Sequence, residues 1–167
     1  MLNFVPKEFL LAAGLLAVPT AAVLAQNPDV PRIPKTDPRL LRLQAYFAEH
    51  KCPVHHLAAD FLAAADENRL DWRLLPSLSM VETGGGRGTR NNNIFGWNCG
   101  RTSFRSVKES IQVVGAKLSQ SPLYKGKDTN GILRVYNASP RYGARVKAIM
   151  QTIGSPDLTT VALAALN

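Results

Sequence analysis

Apolar residues recur every three or four positions along most of this 167-residue chain, and no long stretch alternates between apolar and polar side chains. That spacing is typical of amphipathic helices, and prolines and glycines separate one such stretch from the next. The sequence therefore predicts a predominantly α fold. One helix is predicted to start near Asp37 and a second to cover about 54–68. A third ends at Glu82, and a fourth starts at Ser106. Three more are predicted over about 130–136, 140–153 and 156–166.

Capping residues mark several of these helix boundaries. Asp71 is placed to cap the helix that ends at Glu82, and Pro76 is expected to bend it. Ser106 and Glu109 have the spacing of a capping box. Ser139 stands directly before a proline, which predicts the start of the helix over 140–153.

The first 25 residues look like an export signal rather than part of the fold. An apolar run covers 9–18, a proline follows, and residues 23–25 resemble a small-residue cleavage site. The run is shorter than the roughly 20 residues that span a bilayer, so we expect cleavage and no membrane insertion afterwards; an uncleaved anchor is the alternative. Residues 26–36, with three prolines, predict a linker, and 37–167 have the size of one domain.

The chain is basic, with a formal net charge of +8, and removing residues 1–25 leaves that charge unchanged. Such a charge favours an anionic partner: a cell-wall polymer, a nucleic acid or an anionic lipid surface. No recognised nucleic-acid motif accompanies it, and the export signal favours the wall. We therefore expect an exported monomer, in the periplasm or outside the cell, that contacts wall glycan and no nucleic acid.

The two cysteines, Cys52 and Cys99, predict one disulfide in an oxidising compartment, with two unpaired thiols as the alternative. Histidines do not suggest a metal site. His55 and His56 are adjacent, and His50 has no converging pair of cysteines. The sequence therefore predicts neither a metal nor a cofactor.

Glu82 is the most informative single residue. It ends an apolar helix and is followed, after Thr83, by the glycines 84–86. Their lack of side chains would leave room for a bulky polymer. We expect it to be half-buried, where apolar neighbours such as Met80 and Val81 disfavour its ionised form, as the proton donor of a glycosidase requires. The alternative is a solvated glutamate at a helix end, where the helix dipole is unfavourable to it.

Aromatic and amide side chains farther along the chain are candidates to contact a sugar. Aromatic rings offer flat faces for stacking and amides offer hydrogen bonds, but core packing and turn formation are the ordinary roles of these residues. The candidates are Asn92, Asn93, Phe95, Trp97, Tyr136 and Tyr142.

A second carboxylate is missing from this region, because no acidic residue lies between Thr83 and Lys108. Most glycosidases use two carboxyl groups. The next ones here are Glu109, in its predicted capping role, and Asp128.

Several short motifs occur together in a fixed order. The motifs are Asp71–Pro76, Met80–Gly85, Asn92–Trp97, Phe104, Tyr136 with Asn137, and Tyr142. Over roughly 53–153 they resemble the bacterial mannosyl-glycoprotein endo-β-N-acetylglucosaminidase-like (glucosaminidase) domain, which is related to family 73 glycoside hydrolases.

This resemblance implies a lysozyme-like helical domain, in which a small loop or hairpin lobe flanks a cleft, and cleavage of β-1,4 linkages in peptidoglycan. By position, Glu82 matches the family's acid, and either Tyr136 or Tyr142 matches its tyrosine near the cleaved bond. Asn92, Asn93, Phe95 and Gly96 match its cleft motif. Many relatives also have an acidic residue in the lobe, which this chain lacks, so the resemblance leaves the second catalytic group open.

Three functions remain as hypotheses. The first is hydrolysis after N-acetylglucosamine with Glu82 as general acid, by a substrate-assisted route in which the sugar's own acetamido group replaces the second carboxylate. The second is a lytic transglycosylase using the same glutamate. The third is a non-catalytic wall-binding module that holds glycan through Trp97 and its basic surface.

Overall fold

The computed structural model describes residues 33–158 and confirms a predominantly α fold. In this part of the chain the only β pairing is an isolated bridge between Arg90 and Asn93. The helices are α1 (Pro38–Glu49), a 3-10 helix (Pro53–Leu57), α2 (Ala58–Glu67), α3 (Leu74–Thr83), α4 (Val107–Gln120), α5 (Thr129–Tyr136) and α6 (Pro140–Ile153).

Some predicted features lie outside the described residues: the signal peptide, most of the linker and most of the helix expected over 156–166. Within residues 33–158, no helix has both the length and the apolar character needed to cross a membrane.

Two predicted helix starts agree with the structure. The Glu109 N–H donates to Ser106 Oγ at 3.0 Å, so Ser106 caps α4 as its spacing indicated. The Glu109 carboxylate bonds to Arg105 instead of returning to the Ser106 N–H, so only half of the capping box forms. Ser139 precedes α6 at the expected position, although its side chain makes no capping bond.

The start of α3 differs from the prediction. The Asp71 carboxylate accepts from the Arg73 N–H at 3.0 Å and from the Arg73 guanidinium, so it stabilises a turn ahead of the helix, which begins at Leu74. Pro76 is then the third residue of α3, where a missing N–H removes no intrahelical bond and gives no cause for the predicted bend.

Helix α3 is the centre of the core, because every side chain from Leu74 to Ser79 is buried between the surrounding helices. Its start is tied to the end of α6: Arg73 donates to the Gly154 carbonyl at 2.8 Å, and Trp72 donates to the Pro156 carbonyl at 3.2 Å. Its end is a left-handed glycine, Gly84. The last turn of α3, which carries Glu82, therefore has a fixed place in the molecule.

The segment between α3 and α4, residues 84–106, forms an irregular loop held against the body of the protein. Ile94 and Phe95 are fully buried, and the Phe95 ring meets Phe61 of α2 edge to face at 6.4 Å. The Thr83 hydroxyl donates to the Ile94 carbonyl at 2.9 Å. These contacts fix residues 94–97 beside the end of α3.

Candidate active site

A groove with a volume of about 520 Å³ runs past the carboxyl end of α3. One side is the loop after α3, and the other is formed by Tyr124 and by the end of α5. The residues that line the groove are Glu82, Phe95, Gly96, Trp97, Asn98, Cys99, Thr102, Tyr124, Tyr136 and Asn137.

Both oxygens of the Glu82 carboxyl group are placed by specific neighbours. The Tyr142 hydroxyl, from the first turn of α6, donates to Oε1 at 2.6 Å. Oε2 lies 2.9 Å from the point where a Cβ on Gly96 would stand. The Glu82 side chain is exposed, so the expectation that it is half-buried is wrong. The groove that gives access to the carboxyl group also leaves it open to water.

Only glycine fits at position 96, for two reasons. Its φ of +59° is in the left-handed region, which side chains rarely adopt, and a Cβ would collide with Glu82 Oε2. The glycine therefore lets the backbone approach the carboxylate and keeps one oxygen accessible from the groove.

The two candidate tyrosines have different roles. Their rings stack with centroids 5.9 Å apart and planes 14° apart, but Tyr136 donates its hydroxyl to the Phe95 carbonyl, whereas Tyr142 donates to Glu82. Burial raises the pKa of both phenols, and the bond to Glu82 raises that of Tyr142 further. Both tyrosines are therefore neutral hydrogen-bond donors: Tyr142 holds the carboxylate and Tyr136 holds the loop.

The raised pKa of Tyr142 predicts how stability depends on alkaline pH. Below the unfolded value of 10.0 the proton is bound in both states, and above it the unfolded state ionises first, so stability is lost as pH rises. Thermal melts from about pH 9 to about pH 11 should therefore show a smaller loss for Tyr142→Phe than for wild type. Equal losses would contradict a native-state pKa of Tyr142 raised by its burial and its bond to Glu82.

An aromatic wall continues from Glu82 along the groove. Trp97 is half-buried and packs against Tyr136, with ring centroids 6.0 Å apart, and against Tyr124, at 6.2 Å. Tyr124 was missed in the sequence, since it lies in a turn between helices with no periodic pattern to single it out. Asn137 was noticed only as part of a motif, and it lines the groove directly after Tyr136.

Asn92 and Asn93 of the loop support the backbone and do not line the groove, whereas Asn98 does. Asn93 is buried; its Oδ1 accepts from the Trp97 N–H at 2.9 Å, and its Nδ2 donates to the carbonyls of Trp97 and Thr102 at 3.0 Å. Asn92 donates to the Phe104 carbonyl at 2.9 Å. We therefore assign both a positioning role in place of the expected contact with a sugar. The Phe95 side chain is also buried in the core, so its ring does not offer a face to the groove. Its backbone carbonyl accepts the hydrogen bond from the Tyr136 hydroxyl.

The predicted disulfide is absent, and this expectation is corrected. Both cysteines are free: Cys99 is exposed at the groove, while Cys52 is buried with its sulfur 3.4 Å from Met80 Sδ and close to Gly85. Burial raises the pKa of the Cys52 thiol. The path of the loop sets the Cys99 side chain toward solvent instead of toward the core.

The two thiols should consequently differ in reactivity. Because the thiolate is the reactive form, an alkylating reagent at neutral pH is expected to label native protein at Cys99, and to label Cys52 only after unfolding. Mass spectrometry of peptides from the two samples measures this. If neither cysteine of the native protein is labelled until the protein is reduced, the result would show that Cys52 and Cys99 form a disulfide.

Among residues 33–158, no group of three or more histidine, cysteine, aspartate or glutamate side chains is arranged to hold a metal ion. Glu82 supplies the carboxyl group of the groove, with Tyr142 as its hydrogen-bond partner and the aromatic wall beside it.

Comparisons of the sequence bring no further constraint. No model of a known protein family matches the chain, and no curated protein matches it.

Proposed function

We propose that this protein is an exported glycoside hydrolase that cleaves β-1,4 linkages of peptidoglycan after N-acetylglucosamine, with Glu82 as the proton donor. The observation that carries the proposal is the Glu82 carboxyl group at an open groove, with one oxygen held by Tyr142 and the other unobstructed beside Gly96. The helical body and the loop over 84–106, on opposite sides of this groove, support the lysozyme-like architecture that the sequence motifs imply.

The walls of the groove suit a polymer of amino sugars. Trp97, Tyr124 and Tyr136 supply adjoining aromatic surfaces, which pack against the apolar faces of sugar rings, while Asn137 and Thr102 supply polar groups. Because the groove is open along its side, a long strand can lie in it without threading an end.

The charge distribution supports an anionic polymer. Residues 83–158 contain twelve lysines and arginines against three acidic residues, whereas residues 33–82 contain six against seven. The loop beyond Glu82, α5 and α6 all belong to the basic part. A wall strand with carboxylate-bearing substituents would be attracted to these basic segments.

Proton transfer would depend on the substrate. The Glu82 side chain is exposed, and the Tyr142 hydroxyl donates to its Oε1 at 2.6 Å. A glycan strand lying across the carboxyl group would exclude water and disfavour its charged form. Oε2 would then hold the proton that is delivered to the glycosidic oxygen as the bond to the anomeric carbon breaks.

The nucleophile fits a substrate-assisted route, because Glu82 is the only carboxylate among the described residues that line the groove. The carbonyl oxygen of the 2-acetamido group attacks the anomeric carbon as the leaving oxygen takes the Glu82 proton. Water then opens the resulting ring and returns a proton to Glu82. The Asn137 side chain lies at the groove where its amide could orient the acetamido group.

A lytic transglycosylase is the second candidate, and the same observation favours it, since such an enzyme also works with one glutamate. There the 6-hydroxyl of muramic acid replaces water and leaves a 1,6-anhydro end. The position of Glu82 serves both reactions, and the chemical identity of the new chain ends separates them.

Purified peptidoglycan tests whether the protein is an enzyme at all. We expect wild-type protein to sediment with the wall and to release new reducing ends over time. Sedimentation without any new chain ends, reducing or anhydro, would show a wall-binding module and overturn the proposal.

A further inference from the structure

A second cleft adjoins the groove and has a different chemical character. It lies between α5 and α6, has a volume of about 280 Å³, and shares Asn137 with the Glu82 groove. Asn137 therefore borders both the groove and the cleft. Its lining is Asn130, Leu133, Arg134, Asn137, Ala138, Ser139, Pro140, Gly143, Ala144 and Lys147.

The floor of this cleft is apolar. Leu133 is buried beneath it, and the lining also includes the small residues Ala138, Gly143 and Ala144. The Cβ position of Gly143 lies 3.9 Å from the Leu133 Cβ. Small apolar side chains such as methyl groups can pack on a floor of this kind.

The rim of the cleft carries positive charge without a carboxylate to balance it. Arg134 and Lys147 are exposed, and neither takes part in an ion pair within residues 33–158. Lys147 Nζ lies 3.2 Å from Asn130 Oδ1, which holds the ammonium group at the rim. None of the residues that line the cleft is acidic. A ligand that combines small apolar groups with carboxylates matches both the floor and the rim.

We propose that this cleft binds the acidic peptide substituent of a glycan strand whose sugars lie at Glu82. The inference rests on the proposed function and deepens it: the preferred substrate is a glycan that bears short peptides of alanine and carboxylate residues, not an unsubstituted amino-sugar polymer. Arg134 and Lys147 pair with the peptide carboxylates, and the floor between Leu133 and Ala144 receives a methyl side chain.

The test measures binding of the peptide alone, so it does not depend on cleavage. The probe is fluorescently labelled L-Ala-γ-D-Glu-diaminopimelyl-D-Ala, followed by anisotropy at low salt, beside the same peptide with its carboxylates amidated. We expect Arg134→Gln with Lys147→Gln to weaken binding of the acidic peptide about tenfold, as the loss of two exposed ion pairs would. The amidated peptide should bind weakly to wild type and variant alike.

A matched control removes the same two charges elsewhere. Lys35 and Lys117 are exposed and line neither cleft, so Lys35→Gln with Lys117→Gln should bind the acidic peptide like wild type. Equal weakening by both double variants would overturn the inference, because it would show a general field effect. Tighter binding of a single-stranded oligonucleotide of the same charge, lost in the cleft variant, would overturn it in favour of a nucleic-acid site.

An uncharged variant tests the floor. Ala144→Phe fills the cleft from an exposed helix position and should also weaken peptide binding, while leaving the thermal melt nearly unchanged. If the peptide does not bind but wild-type protein cleaves glycan, this inference alone fails. If the peptide binds and glycan is not cleaved, the proposed function fails.

Discussion

Replacing Glu82 with glutamine is expected to lower the rate of glycan cleavage about 10³-fold, the size of effect associated with loss of a general acid. Glutamine has the same shape, and Tyr142 can still donate to its side-chain oxygen, so the geometry of the groove should persist. The amide has no proton to give to the leaving oxygen. The initial rate of reducing-end release, with substrate in excess, measures the loss.

Glu67 offers a matched control for this substitution. It is an exposed glutamate at the end of α2 and does not line the groove. Glu67→Gln makes the same chemical change and should leave the rate within about twofold, as for a surface substitution. A Glu82→Gln rate as high as that of Glu67→Gln would remove Glu82 from the mechanism.

Replacing Gly96 with alanine should cost activity more than stability. The new Cβ would stand 2.9 Å from Glu82 Oε2, so the carboxyl group must move, and misplacing a catalytic group by about 1 Å costs on the order of 10²-fold in rate. The left-handed backbone adds about 1 kcal/mol of destabilisation. Rate assays and denaturant melts of the same preparation separate the two effects.

A substitution at Gly100 is the control that separates the effect of backbone strain from the effect of obstructing the Glu82 carboxylate. It has a similar φ of +76°, but no atom lies within 4 Å of its Cβ position. Gly100→Ala should therefore lose about as much stability as Gly96→Ala and keep its activity. Equal rate losses in the two variants would show that the loop needs both glycines for its fold and that Gly96 has no special relation to Glu82.

Much of the helical architecture was predictable because it depends on local signals. Ser106 and Pro140 mark helix starts through capping and a fixed φ, and the apolar spacing between them needs no tertiary contact to be recognised. The start of α3 was predicted too early, because the Asp71 carboxylate bonds to Arg73 in a turn that precedes the helix. An aspartate carboxylate can accept hydrogen bonds as a helix cap or within a turn before the helix, and tertiary packing decides which of the two forms.

The candidate site was predictable in part. Glu82, Trp97, Tyr136 and Tyr142 were identified from their residue types and order. The first three line one groove, and Tyr142 bonds to Glu82 there. Tyr124 comes from a turn after α4, and its contact with Trp97 arises from tertiary packing. The exposure of Glu82 and the separation of the two cysteines depend on the course of the loop over 84–106, which periodicity does not encode.

The most direct test of the central claim is the chemical identity of the chain ends that wild-type protein produces from purified peptidoglycan. The digest is run in water enriched in oxygen-18, reduced at once with borohydride and analysed by mass spectrometry. The account predicts ends of N-acetylglucosamine that carry one labelled oxygen from the solvent. Unlabelled 1,6-anhydromuramic ends, or reducing ends on muramic acid, would contradict it.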